Sequence, residues 1–528
     1  MSYLVPEWLK IDPVVKQIEF DLEKPSLDDN TADWDRLTRF LKKKGFWPID
    51  VATKRLGELA YAVRACDYRG KVRLAFRRHS WEVLDIFPLD FNRPAIGAAF
   101  DLGTTRIALY LVDLLNGEIL KTTSVPNPQI PYGEDILTRI VYARTADKLR
   151  ELHSLLIGCF NDTLRSNLDE LGMDRGSVVA LSVAGNTTMS HFFTCLDPSN
   201  ICKEPYIPVV NRFPLFRASD FGLWANERAF LYVFPNVGSY FGGDIIAGII
   251  ASGMHRRDEV SMLIDVGTNA EVVLGNRDWM IACAGAAGPA LEGGVVERGM
   301  MAAPGAIDMV RIDPETLELT YHVIGDEKPI GICGSGLIDL IAEMFQAGLL
   351  TIQGKINTKL KKRTNRIVDT EDGTAFVVAF ANETGDDRDL VVTDIDIGIL
   401  LKSKAAMFTI LNVICRKVGL DVSDVEKIYV AGTFGNHINP AMAIRIGMLP
   451  DLPLNRFVPL GNTSGKGAAC LLLDRTVMNE IDAICDMITY IELNVNVELM
   501  HEFRGALFIP HTDPKLFPSV KIPELARG

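Results

Sequence analysis

Among 528 residues there are nine cysteines, and none of them stands in a C-x-x-C pair. Cys66, Cys159, Cys195, Cys202, Cys283, Cys333, Cys415, Cys470 and Cys485 are dispersed and lack the clustered spacing that zinc or iron–sulfur ligation requires. An odd number of scattered cysteines reads as free thiols rather than a disulfide framework. No apolar stretch approaches the length of a membrane-crossing helix. The N-terminus, with Glu7 and Asp12 close by, lacks the pattern of a secretion signal. These absences predict a cytoplasmic protein without a membrane partner. Positive charge is also scarce, since 55 Lys and Arg against 68 Asp and Glu leave a net charge of −13, which would repel a phosphate backbone. The one short basic cluster, Arg73, Arg77, Arg78 and His79, reads as a solvated strand face, so no nucleic-acid partner is expected. Two glycine-rich stretches fail the familiar nucleotide signatures. Gly331-Ile-Cys-Gly-Ser-Gly336 lacks the G-x-G-x-x-G spacing, and Gly461-Asn-Thr-Ser-Gly-Lys-Gly467 is not a Walker A sequence.

What is present is ordinary globular material. With 48% hydrophobic and 23% charged residues, the chain can bury large cores, and its length predicts about two to four domains. Residues 1–25, bounded by Pro6 and Pro25, read as an extended arm or edge strand. Two helices and two strands, Lys71 to Arg77 and Trp81 to Phe87, make 26–93 a small α+β module. Residues 94–256 and 257–528 read as two halves of a larger α/β body. Three details are expected within them. One long amphipathic helix follows Gly133, a charged surface excursion spans Lys355 to Asp389, and a snorkelling lysine, Lys404, sits on an apolar helix.

The chemistry concentrates in a pattern that occurs twice. At Ala99-Phe100-Asp101-Leu102-Gly103-Thr104-Thr105, apolar strand residues lead to an Asp, a glycine turn and two hydroxyls, and a second apolar run follows. Gly103 lets backbone approach a ligand, Thr104 and Thr105 add donors beside exposed N–H groups, and Asp101 stands where a carboxylate can hold hydrated Mg²⁺. Ile264-Asp265-Val266-Gly267-Thr268-Asn269 repeats the pattern between two more apolar runs. One copy is ordinary turn chemistry, whereas two predict a duplicated domain with two phosphate loops facing each other. Val178 to Met189 is a buried strand running into a Gly185-Asn186 turn, the usual edge of a ligand cleft. Gly242-Gly243-Asp244 opens a helix just ahead of the second copy, which invites a catalytic role for Asp244. Tyr429-Val430-Ala431-Gly432-Thr433-Phe434-Gly435 is a strand entering a glycine turn on which an adenine and ribose could lie.

In order and spacing, Asp101-Leu-Gly-Thr-Thr, Asp265-Val-Gly-Thr-Asn and Ala431-Gly-Thr-Phe-Gly resemble the phosphate-1, phosphate-2 and adenosine motifs of the superfamily of acetate and sugar kinases, heat-shock chaperones and actin (ASKHA). More narrowly, these together with Gly185-Asn-Thr-Thr-Met, Gly242-Gly-Asp244, Ala287-Gly-Pro-Ala and Gly299-Met resemble the reductive activators of corrinoid proteins, from about residue 20 to the end. The resemblance implies a duplicated actin-like ATPase with ribonuclease H-like halves and a small N-terminal α+β domain. It implies ATP and Mg²⁺ as cofactors, with Gly103, Thr104, Thr105, Gly267, Thr268, Asn269, Gly432, Thr433, Phe434 and Gly435 on the nucleotide. Asp101 and Asp265 would hold the metal through water, and Asp244 would place the attacking water. Such activators use ATP to drive the one-electron reduction of Co(II) corrinoid to Co(I) for corrinoid-dependent methyltransferases, so a corrinoid protein is the expected partner. Their well-known members carry an iron–sulfur domain, and here no cysteine cluster stands at either end. The expectation is therefore a removed ferredoxin-like domain or an external electron donor, with no cluster in this chain. The small module resembles the middle domain that follows the ferredoxin domain in such activators. A homodimer stays open, and a small-molecule kinase or a chaperone-like nucleotide switch on the same fold is the rival reading.

Overall fold

The computed structural model describes residues 6–239, 241–267, 270–285, 296–371, 373–491 and 497–527, without the side chains of Thr433, Phe434, Asn436, 497–499 and Arg527. The first repeated pattern is a hairpin. Ile96–Leu102 pairs antiparallel with Arg106–Asp113, placing Asp101 opposite Ala108. This hairpin is central to a sheet ordered Ile119–Pro126, Arg106–Asp113, Ile96–Leu102, Val178–Gly185, Phe230–Val233, Phe216–Arg217. The first three strands form an antiparallel meander, and Val178–Gly185 and Phe230–Val233 then add in parallel. Ile96, Ala98, Phe100 and Leu102 line one fully buried face of their strand, Ala99 is fully buried on the other, and Phe160 of the helix Ala146–Glu170 stacks on Phe100 with ring centroids 3.9 Å apart.

The second pattern builds the same thing. Met280–Gly285, Ala270–Gly275, Ser261–Val266, Lys427–Ala431 and Phe457–Gly461 repeat the order of the first five strands, again three antiparallel and then two parallel, with Ile488–Tyr490 added beside Met280–Gly285. The two sheets belong to two compact units. One comprises residues 1–253 and 463–487, the other 254–462 and 488–528. Residues 463–487, expected in the second half, thus pack in the first unit.

The small module is a four-stranded sheet, Val15–Asp21, Arg69–Arg77, Ser80–Phe87 and Ile49–Asp50, carrying the helices Asp33–Lys43 and Thr53–Ala65. Its edge strand Val15–Asp21 comes from the segment expected as an extended arm or edge strand; the second alternative holds, and the module begins before residue 26. The basic cluster is not a solvated face. Arg73 is fully buried, its guanidinium donating to Arg93 O at 2.6 Å and Gln17 Oε1 at 2.8 Å, and burial pulls its pKa down to about 10. Arg77 pairs with the buried Glu82, which also takes Arg217 of the first-unit body at 2.5 Å.

Four further expectations are corrected. The long helix after Gly133 is two, Ile136–Tyr142 and Ala146–Glu170, because the Thr145 hydroxyl accepts from Lys148 N–H and caps a fresh start. The excursion Lys355 to Asp389 contributes to a sheet of Ile367–Thr370, Gly373–Ala379 and Leu390–Thr393, whose Phe376, Val378 and Leu390 are fully buried. Asp394–Lys417 is 24 residues long and holds an 18-residue window with a mean hydropathy of 1.6, long and apolar enough to cross a membrane by length and composition, where no such stretch was expected. Its most apolar window is mostly buried inside the second unit, where it serves as a core helix. Lys404 does not snorkel. It is fully buried, with Nζ donating to Phe508 O at 2.5 Å and Pro510 O at 2.7 Å, and burial holds its pKa well below the ordinary lysine value. Lys404→Ala, which strands both carbonyls and leaves a cavity, is expected to destabilise by about 3 kcal/mol in equilibrium denaturation. Lys404→Met, which refills the volume, should cost about half of that.

Another buried charge in the same unit makes stability depend on pH. Asp339, on the helix Gly334–Gln346, is 4% exposed, and burial pushes its carboxyl up to about 6 against the Val310 N–H and the Arg311 charge, which pull it down. The folded state then binds more protons than the unfolded one between about pH 4 and 6, so stability falls as pH rises through that window. Asp339→Asn is expected to gain about 1–3 kcal/mol over the parent at pH 7.5 and almost nothing at about pH 3, below the unfolded pKa, read by denaturation at both.

Candidate nucleotide site

In the first unit, parallel pairing puts Asp101 beside Ala184 and Leu102 beside Gly185, so the Thr104 turn and the Asn186 turn leave the sheet side by side. The Asn186 amide bridges them, donating to Thr104 Oγ1 at 3.1 Å while its oxygen accepts from Met189 N–H at 2.9 Å and caps the helix Thr187–Phe193. Asn127 holds the turn from its other flank, its amide donating to Gly103 O at 2.8 Å and its N–H to Thr105 O at 2.9 Å. Gly103 is required here, because a Cβ would lie 2.5 Å from Arg106 O. The third strand brings in Asp244. A Cβ on Gly242 would lie 2.4 Å from Asn186 Cα, so the glycine lets the start of the helix Gly243–Ser252 press on the Asn186 turn. Asp244 stands in that helix's first turn, where the helix dipole favours a carboxylate, and its Oδ1 accepts from Ile245 N–H at 2.9 Å. Asp101, Thr104, Asn186 and Asp244 thus rise from three neighbouring strand ends. Burial, and after it the charge of Asp101, pushes the Tyr110 hydroxyl pKa up, which sets the carboxylate within electrostatic reach of that ring.

The glycines of Gly461–Gly467 have a packing role. A Cβ on Gly465 would lie 2.1 Å from Tyr110 Cε2, and one on Gly467 would lie 2.0 Å from Ala247 O. The helix Thr463–Leu473 therefore crosses the Asp244 helix backbone to backbone, and Ser182 Oγ fixes it to the sheet by donating to Ala468 O at 2.8 Å.

In the second unit, Asp265 pairs across the hairpin with Glu271 and in parallel with Ala431. Ala431-Gly432 thus occupies the place that Ala184-Gly185 holds in the first unit. Gly432 has φ +81°, and a Cβ there would come within 3.1 Å of Asp265 Oδ1 and 3.2 Å of Val266 O. This turn needs glycine for both conformation and space. A Cβ on Gly435 would lie 2.7 Å from Val430 O. Gly432–His437 is helical, so the expected glycine turn is the first turn of a short helix. Gly267 follows the strand directly. Thr268, Asn269 and the Ala287-Gly-Pro-Ala motif lie outside the described residues, as do the side chains of Thr433 and Phe434.

Mg²⁺ that keeps most of its waters needs only one or two carboxylates. Asp101 and Asp265, each half-buried at the mouth of a glycine turn, suit that outer role. Among the described residues no cluster of three or more His, Cys, Asp or Glu is gathered for a fully protein-ligated metal, and all nine cysteines are free thiols. Sequence reasoning missed Asn127. Its Pro126-Asn-Pro128 setting reads only as a loop, and its contact with Gly103 depends on the strand Ile119–Pro126 returning antiparallel beside the hairpin.

Family models match residues 7–93 as the RACo linker region, 96–257 as the RACo middle region, and 259–521 as the C-terminal domain of RACo, the ASKHA domain. The small module accordingly corresponds to the family's linker region rather than to its middle region. A corrinoid activation enzyme, RamQ of Eubacterium limosum, is 29% identical over 94% of this chain and 83% of its own. A [Co(II) methylated amine-specific corrinoid protein] reductase of Methanosarcina barkeri is 26% identical over 74% of this chain and 73% of its own. The solved structure of a reductive activator for a corrinoid, iron–sulfur protein superposes with a TM-score of 0.87 at 38% identity, covering 98% of this chain and 82% of that one.

Proposed function

The chain belongs to the family of reductive activators of corrinoid proteins, and on that premise we propose that it couples ATP hydrolysis to the reduction of a corrinoid protein from Co(II) to Co(I). The observation that carries the nucleotide half of the reading is the duplication, in which each of two sheets of the same strand order ends its central strand in Asp-x-Gly-Thr. Gly103, Thr104, Thr105 and Gly267 would hold the phosphates, with Thr268 and Asn269 by sequence. Gly432 and Gly435, with Thr433 and Phe434, would take the adenosine. Mg²⁺ supplies charge neutralisation on the phosphates when bound. Asp101 and Asp265 would orient its water shell, and Asp244 would hold and deprotonate the attacking water. The electron comes from a low-potential donor outside the described residues. The γ-phosphate leaves as inorganic phosphate, and one electron passes to cobalt.

ATP alters no potential at a distance. It can only favour a protein complex in which the cobalt's ligation differs. The reading is tested by measuring ATPase activity with and without a Co(II) corrinoid protein. Stimulation by the partner supports it. A phosphorylated small molecule in place of inorganic phosphate points to a kinase, and ATPase activity without cobalt reduction points to a switch.

A further inference from the structure

Arg139, on the helix Ile136–Tyr142, is fully buried. Its guanidinium meets neutral acceptors only: Nε donates to Gly133 O at 2.7 Å, and Nη1 lies 3.4 Å from Gln129 Oε1 and 3.6 Å from Met189 Sδ. Nη2 has no hydrogen-bond partner. The carboxylate whose field reaches it is Asp135, an exposed residue whose oxygens already accept from Thr138 N–H and Oγ1. Burial pulls the Arg139 pKa down to about 10, which leaves it charged at neutral pH. A buried cation without a counter-charge is strongly unfavourable, and arginine cannot escape by losing its proton.

Its neighbours say where the counter-charge belongs. Gln129 follows two residues after Asn127, which holds Gly103 O and Thr105 O. Gln129 N–H also donates to Asn127 Oδ1 at 2.9 Å. Met189 is the residue whose N–H the Asn186 cap accepts, and Asn186 holds Thr104. The guanidinium therefore lies against Gln129 and Met189, each a near neighbour in sequence of a residue that flanks the first hairpin turn.

We propose that Arg139 is a positioning residue whose missing counter-charge is the phosphate of a nucleotide bound at the Gly103–Thr105 turn. This inference rests on the nucleotide reading of that turn. Arg139 does not contact the ligand. It holds the side chains of Gln129 and Met189, which follow the Asn127 and Asn186 supports in the chain, and supplies a permanent positive charge through a low-dielectric interior.

The test is equilibrium binding of ATP·Mg, ADP·Mg and adenosine to the full chain and to Arg139→Lys, Arg139→Gln and Arg139→Met, with the ligand-free thermal midpoint of each. Arg139→Met and Arg139→Gln should weaken ATP binding about tenfold, and Arg139→Lys by no more than about threefold. Adenosine, which carries no phosphate, should bind all four alike. The ligand-free midpoint of Arg139→Met should not fall, because an unpaired buried charge has been removed. Unchanged ATP affinity in Arg139→Met overturns the proposal, and so does an equal loss in the Lys and Met variants with lowered midpoints, which is the mark of a purely structural role. If Arg139→Met does not fold, equal ATP affinity in the Lys and Gln variants overturns it. A parent chain that binds no ATP removes the nucleotide reading itself, and this inference with it.

Discussion

Asp101→Ala and Asp265→Ala are each expected to lower ATP turnover by at least about a hundredfold, while the thermal midpoint moves by no more than a few degrees. Each carboxylate ends the central strand of its own sheet, in register with a small residue on the parallel neighbour, Ala184 or Ala431. Each is half-buried, so truncation opens no deep cavity and the strand pairing around it stays intact. What is lost is negative charge at the mouth of a glycine turn. Asp101→Asn and Asp265→Asn keep the shape and remove the charge, so they should fall nearly as far as the alanine variants. If an Asn variant retains full turnover, its carboxylate is not orienting Mg²⁺, because the amide cannot replace a charge toward a hard cation.

The other large effect is on folding. Gly467→Leu is expected to cost at least about 4 kcal/mol and to abolish recovery of folded protein at 37 °C. A Cβ at Gly467 would stand 2.0 Å from Ala247 O, and the atom it meets is backbone inside the Asp244 helix, which cannot swing aside like the end of a side chain. Either the two helices part or the Asp244 helix shifts, and that helix also presses Gly242 on the Asn186 turn. Gly467→Ala should already be destabilising, and any folded fraction should bind nucleotide more weakly. Gly158→Ala is the control. It lies in the helix Ala146–Glu170 with nothing within 4 Å of the added carbon, and it should stabilise by about 0.5–1 kcal/mol. The contrast, read as thermal midpoints and soluble yield, separates crowding at the crossing from general intolerance of glycine replacement.

Much of this was legible because the motifs announce their own local structure. An apolar run, Asp-x-Gly-Thr and a second apolar run form a hairpin by short-range physics, and both hairpins stand where the residues put them. The capped turn at Asn186 was readable for the same reason, since an Asn after a buried strand is a strong helix cap. What could not be read were long-range facts. Lys404 reads as a surface lysine on periodicity alone, and its two acceptors arrive from residues 104 and 106 positions away. Arg73 looked like part of a solvated basic face until Gln17, from the supposed arm, paired beside it. Gly461–Gly467 advertised a phosphate loop that it does not spell, and the advertisement came from two glycines that Tyr110 and Ala247 demand. Arg139 gave no signal in the sequence, because an arginine on an amphipathic helix is ordinarily exposed.

On the proposed reading the Asp101 hairpin and its Asp265 counterpart would hold ATP, and the reading stands or falls on what ATP achieves. The most direct measurement mixes the protein with a Co(II) corrinoid protein and a low-potential reductant, follows cobalt by its optical and paramagnetic signals, and assays phosphate in the same samples. The account predicts that the Co(II) signal is lost and Co(I) appears only when ATP·Mg is supplied, with inorganic phosphate released alongside, and that Asp101→Ala stops both together. Co(I) formed equally fast without ATP, or ATP consumed with cobalt left as Co(II), would contradict it.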